Sequence, residues 1–320
     1  MAHGRATLMT RRTFIAGSLG FAGLLGLAGC SSGAGATPAA SPSSPAAGGD
    51  GGAGAAAAGN AADGTPAGAG PREVEGFSFQ EGSQTDRGFV VNDALETPEG
   101  RTLHFSLHVP DAYDGSAPFA LYVACPGWEG LYFQGVGANL QEDYPFVAND
   151  YVPDMIVATP QLDDWGEQSA ADAVALTEWL LAAFNIDPAR VYLSGCSGGG
   201  ETISIVLGTQ PRLYRRALQV ISRWDGDIDT LAGAQVPVYL AIGEADDYYG
   251  AEPAREAYAR ICDAYRARDV SEDRIAELVT LDVKPISYFE ERGWPASRGQ
   301  HAGGGALFAH DEQIMGWLFR

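Results

Sequence analysis

The chain has 320 residues, of which 41 are acidic and 20 basic, for a formal charge of −21. A surface this acidic repels phosphate backbones and argues against nucleic-acid binding. Composition is uneven: residues 31–71 are almost wholly Gly, Ala, Ser and Pro, too poor in apolar surface to offset ordering entropy, and predict a disordered tether. Residues 72–320 remain as one domain, long enough for a single large core.

The chain opens on an address label. Twin arginines, Arg11 and Arg12, precede Phe14 and Ile15, a pattern that resembles the twin-arginine export signal. Residues 14–28 form an apolar stretch too short and too glycine-rich for a stable membrane-spanning helix, but suited to a signal sequence. It ends in Leu27-Ala28-Gly29-Cys30, which resembles the lipobox of bacterial lipoproteins, with Cys30 as the acylated residue. Residues 1–30 are therefore expected to be a signal peptide, and the product an extracytoplasmic protein anchored to the cell membrane through Cys30. Two acyl chains hold firmly where one is marginal. Of the other cysteines, Cys125, Cys196 and Cys262 lie in apolar runs and read as buried small hydrophobes, with no complete disulfide framework implied.

Within the domain, residues 103–109 alternate apolar and polar, as a half-buried antiparallel strand does. Continuous apolar runs follow at 119–124, 155–158, 191–193, 217–221, 236–242 and 278–283. Their length and β-branched content suit strands buried on both faces of a mostly parallel sheet. Helical spacing appears between them at 169–184, 201–208 and 253–268, and a last helix is expected at 306–319. This is an α/β architecture with helices on both faces, whose ligands bind at the carboxyl ends of the strands.

Gly195-Cys196-Ser197-Gly198-Gly199 fits G-x-S-x-G, the turn that presents a nucleophilic serine between a strand and a helix. Gly29-Cys30-Ser31-Ser32-Gly33 matches the same pentapeptide, but only Ser197 has the strand before it and the helix after it. An acid should follow, then a histidine. Asp246 stands three residues after Gly243, the end of a strand; Asp247 is its neighbouring alternative and Asp225 a more distant one. Among the histidines, His104 and His108 precede the nucleophile, and His310 falls inside the expected last helix. His301 lies in an expected loop after the last strand and is taken as the base. The tetrahedral oxyanion needs donors. Gly198 N–H is one; the Trp128 N–H, in the loop Cys125-Pro126-Gly127-Trp128, is the candidate for the second. Proline stands there where histidine is usual, so the second donor stays open.

In this order of loop, elbow, acid and late histidine, residues 119–318 resemble the α/β-hydrolase superfamily, in its esterase and prolyl-oligopeptidase-like branch. The resemblance implies a Ser-His-Asp hydrolase working through an acyl-enzyme on an ester substrate, with no metal or organic cofactor. A peptidase, a cell-envelope acyltransferase and a catalytically silent ligand-binding lipoprotein are the alternatives. Trp165, Trp224, Tyr248 and Tyr249 follow strand ends and suggest an aromatic substrate site. Only residues 223–235 separate two strands where many relatives insert a cap, so no large cap is expected. Acidic Glu244, Asp247 and Asp225 should disfavour anionic substrates. Asp225-Gly226-Asp227-Ile228-Asp229 spaces carboxylates like part of a calcium loop but lacks the remaining ligands, and reads as an acidic turn. Residues 129–135 resemble a viral protease recognition sequence, read as coincidence.

Overall fold

The computed structural model describes residues 70–320. The expected signal peptide, Cys30 and all but the last two residues of the expected tether lie outside the described residues.

One ten-stranded sheet organises the domain. Its antiparallel part is β1 (Ser78–Gln80), β2 (Gln84–Asp86), β3 (Phe89–Glu96) and β4 (Thr102–His108). The parallel part is β5 (Phe119–Cys125), β6 (Met155–Gln161), β7 (Ile186–Cys196), β8 (Arg216–Val220), β9 (Val238–Gly243) and β10 (Val279–Lys284). Across the sheet the order is β1-β3-β4-β6-β5-β7-β8-β9-β10, with β2 also on β3. β4 joins the two parts by pairing antiparallel with β6. Strands β5, β6, β8 and β9 are buried along nearly their whole length, which explains their unbroken apolar runs.

Successive side chains of the parallel strands feed two different cores. Leu121, Val123, Leu193 and Leu240 pack with α2 (Glu167–Ala183), α3 (Gly198–Thr209), α4 (Ile228–Ala234), α5 (Glu252–Arg266) and α6 (Glu272–Leu278). Tyr122, Ala124, Leu218, Tyr239 and Ala241 face the other way. They meet α1 (Tyr144–Tyr151), α7 (Ile286–Glu291) and α9 (Glu312–Leu318). The period of two in a strand thus places helices on both faces. Truncating a fully buried residue such as Leu121 to alanine should cost about 2–5 kcal/mol.

The last stretch departs from expectation. In place of one helix over 306–319 there are α8 (Gln300–Leu307), a 3-10 turn (Phe308–His310) and α9. Asp311 breaks the run because its side chain accepts the Gln313 and Ile314 N–H groups, capping a new helix. Between β8 and β9 the described chain holds only α4. Its buried Ile228, Leu231 and Ala232 belong to the core, so it is a crossover helix and forms no cap.

Candidate active site

The site is assembled at the carboxyl ends of β7 and β9. Ser197 stands between β7 and α3 with φ +52° and ψ −119°, in the left-handed half of the map that a side chain enters only under constraint. Its N–H donates to Val220 O at 2.9 Å, and Ser222 Oγ donates to Ser197 O at 2.6 Å. These bonds, one to the end of β8 and one from just beyond it, hold the turn against its strain.

Ser197 Oγ lies 2.9 Å from His301 Nε2, and His301 Nδ1 lies 2.9 Å from Asp246 Oδ2. Asp246 has no exposed side-chain surface, while the His301 side chain is 21% exposed. The other carboxylate oxygen of Asp246 accepts the N–H groups of Tyr248 at 3.0 Å, Tyr249 at 2.8 Å and Gly250 at 3.3 Å. With an ionised carboxylate on Nδ1, the neutral ring carries its proton there, which leaves Nε2 to accept from the serine hydroxyl. The separation of Asp246 from its neighbour is also structural. Asp247 Oδ1 accepts the backbone N–H of His301 at 3.0 Å and does not meet the ring.

His301 sits on the first turn of α8, in a helix where the sequence predicts a loop. Gly303, Gly304 and Gly305 disguise the helix, because glycine disfavours helix interiors by about 1 kcal/mol each. Packing overrides that preference: a Cβ on Gly304 would come within 2.2 Å of Ile221, so the helix must approach this closely. Gly299 precedes it with φ +72°, and a side chain there would strike the Asp247 carboxylate. Gln300 Oε1 accepts the Ala245 N–H at 2.8 Å and ties the helix to the acidic turn.

Gly198 N–H opens α3 just past the serine, the helix end that favours negative charge. Opposite it, the loop after β5 comes close enough that a Cβ on Gly127 would lie 3.3 Å from Ser197 Cβ. The Gly127 N–H is already taken by Glu142 Oε1 at 3.0 Å, so the next residue, Trp128, offers the loop's candidate donor.

The four aromatic residues divide. Trp165 covers Gly198, whose added Cβ would lie 2.5 Å from the ring. Tyr248 and Tyr249 place their rings 5.1 and 5.6 Å from that of His301. Trp224 does not join them: it is 7% exposed, belongs to the core, and its Nε1–H donates to Gly226 O at 3.0 Å. A buried indole needs such a partner, and Gly226 O supplies it. Exposed Trp128 and Phe133 add an edge-to-face pair, 5.6 Å apart, on the loop beside the serine.

Sequence reasoning missed the polar group behind Tyr249. The Tyr249 hydroxyl donates to Glu201 Oε1, and Arg223 Nη2 donates to Glu201 Oε2 at 3.0 Å. Burial raises the Glu201 carboxyl, against the pull of Tyr249 and Arg223. Burial likewise raises the Tyr249 phenol. Asp225 pairs with Arg223 at 3.2 Å, Asp227 caps α4, and Asp229 pairs with Arg268 at 3.0 Å. Glu244 accepts the Ile286 N–H at 2.7 Å. The remaining described histidines serve elsewhere: His104 bonds Asn92 at 2.9 Å, His108 meets Gly88 O at 2.8 Å, and His310 meets Asp143 at 2.9 Å. Cys125, Cys196 and Cys262 are buried free thiols.

Residues 162–264 match the Prolyl oligopeptidase family, a span that holds Ser197 and Asp246 and ends before His301. No curated protein matches the chain in sequence. Among solved structures, the chain is similar to a thermostable esterase at 19% identity and a TM-score of 0.56, over 72% of this chain and 62% of that one. It thus spans less than two thirds of that protein. Weaker likenesses include a glucuronoyl esterase from Solibacter usitatus, at 11% identity and a TM-score of 0.47 over 72% of this chain and 88% of that one. Oligopeptidase B from Leishmania major gives 14% identity and a TM-score of 0.43, over 77% of this chain and 37% of that one. The chain has the α/β-hydrolase fold.

Proposed function

We propose that the chain is a serine hydrolase that cleaves carboxylic esters through an acyl-enzyme. The observation that carries this reading is the continuous hydrogen-bonded line from Ser197 through His301 to buried Asp246. His301 takes the serine proton as Oγ attacks the ester carbonyl, and Asp246 steadies the imidazolium that forms. Gly198 N–H and Trp128 N–H receive the oxyanion, and the protonated ring then gives its proton to the departing alcohol. Water, activated by the same ring, releases the acid.

The substrate side is open, bounded by Trp165, Tyr248 and Tyr249, with Tyr248 exposed. This favours short or aromatic neutral acyl esters over long chains, without interfacial activation. A peptidase remains the second reading, on the family match over residues 162–264. Acyl esters of graded chain length, assayed beside peptide anilides, test both: ester turnover falling with chain length supports the proposal. Dominant peptide cleavage, or a jump in rate above the solubility limit of a short ester, overturns it.

The same proposal places the enzyme outside the cytoplasm, exported by the twin-arginine signal and anchored through lipidated Cys30. Mass spectrometry of the mature N-terminus should find an acylated cysteine, lost in Cys30→Ala. An unmodified N-terminus at another residue sinks the anchor.

A further inference from the structure

Glu142 precedes α1 in a stretch of chain with no motif. Its Oε1 accepts the Gly127 N–H at 3.0 Å. Gly127 lies beside the nucleophile: a Cβ added there would come 3.3 Å from Ser197 Cβ. Two residues after Glu142, the Tyr144 hydroxyl donates to Gly304 O at 3.1 Å, in the helix that carries His301. One short segment therefore holds both the oxyanion loop and the base helix. Glu142 also lines a small cavity together with Cys125, Asn139, Tyr144, Thr159 and Ser194, among others.

We propose that Glu142 is a positioning residue for the ester hydrolysis proposed above: by taking the Gly127 N–H it fixes the loop so that the Trp128 N–H meets the oxyanion. The inference rests on that reading of the site. The groups facing Glu142 are Tyr122 and Cys125 of β5, Glu129 of the loop, Tyr144 of α1, Cys196 of β7 and His301 of α8. Burial pushes the Glu142 carboxyl up to about 7, with Glu129 adding to the rise. The Gly127 N–H, the Cys196 thiol and His301 pull it back. The facing phenols and thiols are pushed upward by burial and stay protonated through the neutral range. An ionised acceptor makes the shorter and stronger bond, so the loop is held most firmly once Glu142 has lost its proton. Its charge repels the oxyanion but attracts the imidazolium formed with it. These long-range effects oppose one another, and the hydrogen bond to Gly127 decides the sign.

Hydrolysis of p-nitrophenyl acetate by the whole chain, as wild type, E142Q and E142L, tests the assignment across the neutral range, with fluorophosphonate titration to count competent serines. E142L, which lacks an acceptor, should lose kcat roughly 10- to 100-fold at unchanged KM. E142Q keeps the shape and a neutral acceptor; it should match the wild type near pH 5.5 and fall about 3- to 10-fold behind near pH 9. If E142L does not fold, the pH profile of E142Q decides. A wild type that labels and turns over, while E142Q tracks it at every pH, overturns the positioning role and leaves the hydrolase reading intact. A wild type that neither labels nor turns over overturns both.

Discussion

Asp247 and His301 are joined through the backbone: the Asp247 carboxylate accepts the His301 N–H at 3.0 Å, while the ring is left to Asp246. Adjacent aspartates thus fix the start of the helix and the orientation of the ring separately. Asp246→Asn should remove the proton-stabilising charge and lower kcat by roughly 10⁴-fold. Asp247→Asn keeps an acceptor for the N–H and should cost no more than about 10-fold. Equal losses in the two variants, measured on one ester, would show that the assignment of roles is wrong.

Gly199 bears on the same chemistry through space. A Cβ there would lie 2.3 Å from Cys125 O and 2.5 Å from Pro126 O, both backbone atoms at the root of the oxyanion loop. Gly199→Ala must displace that loop, at a stability cost of about 1–3 kcal/mol. Moving one oxyanion donor should lower kcat by about 100-fold or more. Melting curves and kcat together check this; full activity would mean that the loop does not bear the second donor.

A third prediction concerns stability. Asp93 on β3 is fully buried; its Oδ1 accepts the Gly82 N–H at 2.8 Å, and its Oδ2 has no partner. Burial raises its carboxyl to about 7, with the Gly82 N–H opposing and Glu81 adding to the rise. Folding therefore favours the protonated form. The associated stability is fully present below the unfolded pKa and is lost as pH rises through the folded value. Asp93→Asn stays neutral, so its advantage over the wild type should grow between about pH 4 and pH 7, by at most about 4 kcal/mol. Denaturant titrations at the two ends of that window measure it. A constant difference would show that Asp93 ionises freely in the folded chain.

What could be read in advance followed the strength of local signals. The parallel strands announced themselves because burial on both faces demands unbroken apolar runs, as in β5 and β6. Ser197 and Asp246 stand where the motif and the spacing from Gly243 put them in the structure. β1 and β2 are three residues each and largely exposed, and so left no such pattern. α8 was hidden by its glycines, which tertiary contact with Ile221 selects and local propensity does not reveal. Trp224 turned into the core, since nothing in a single tryptophan says which side of a strand end it will take. Glu142 belongs to no motif and reaches Gly127 only through the fold.

The most direct measurement is to treat the chain with a fluorophosphonate, digest it and locate the adduct by mass spectrometry. A strained serine bonded to His301 should give one adduct, on Ser197, and Ser197→Ala should give none while melting at the wild-type temperature. An adduct on another residue, or equal labelling of the folded Ser197→Ala chain, would contradict the proposed mechanism.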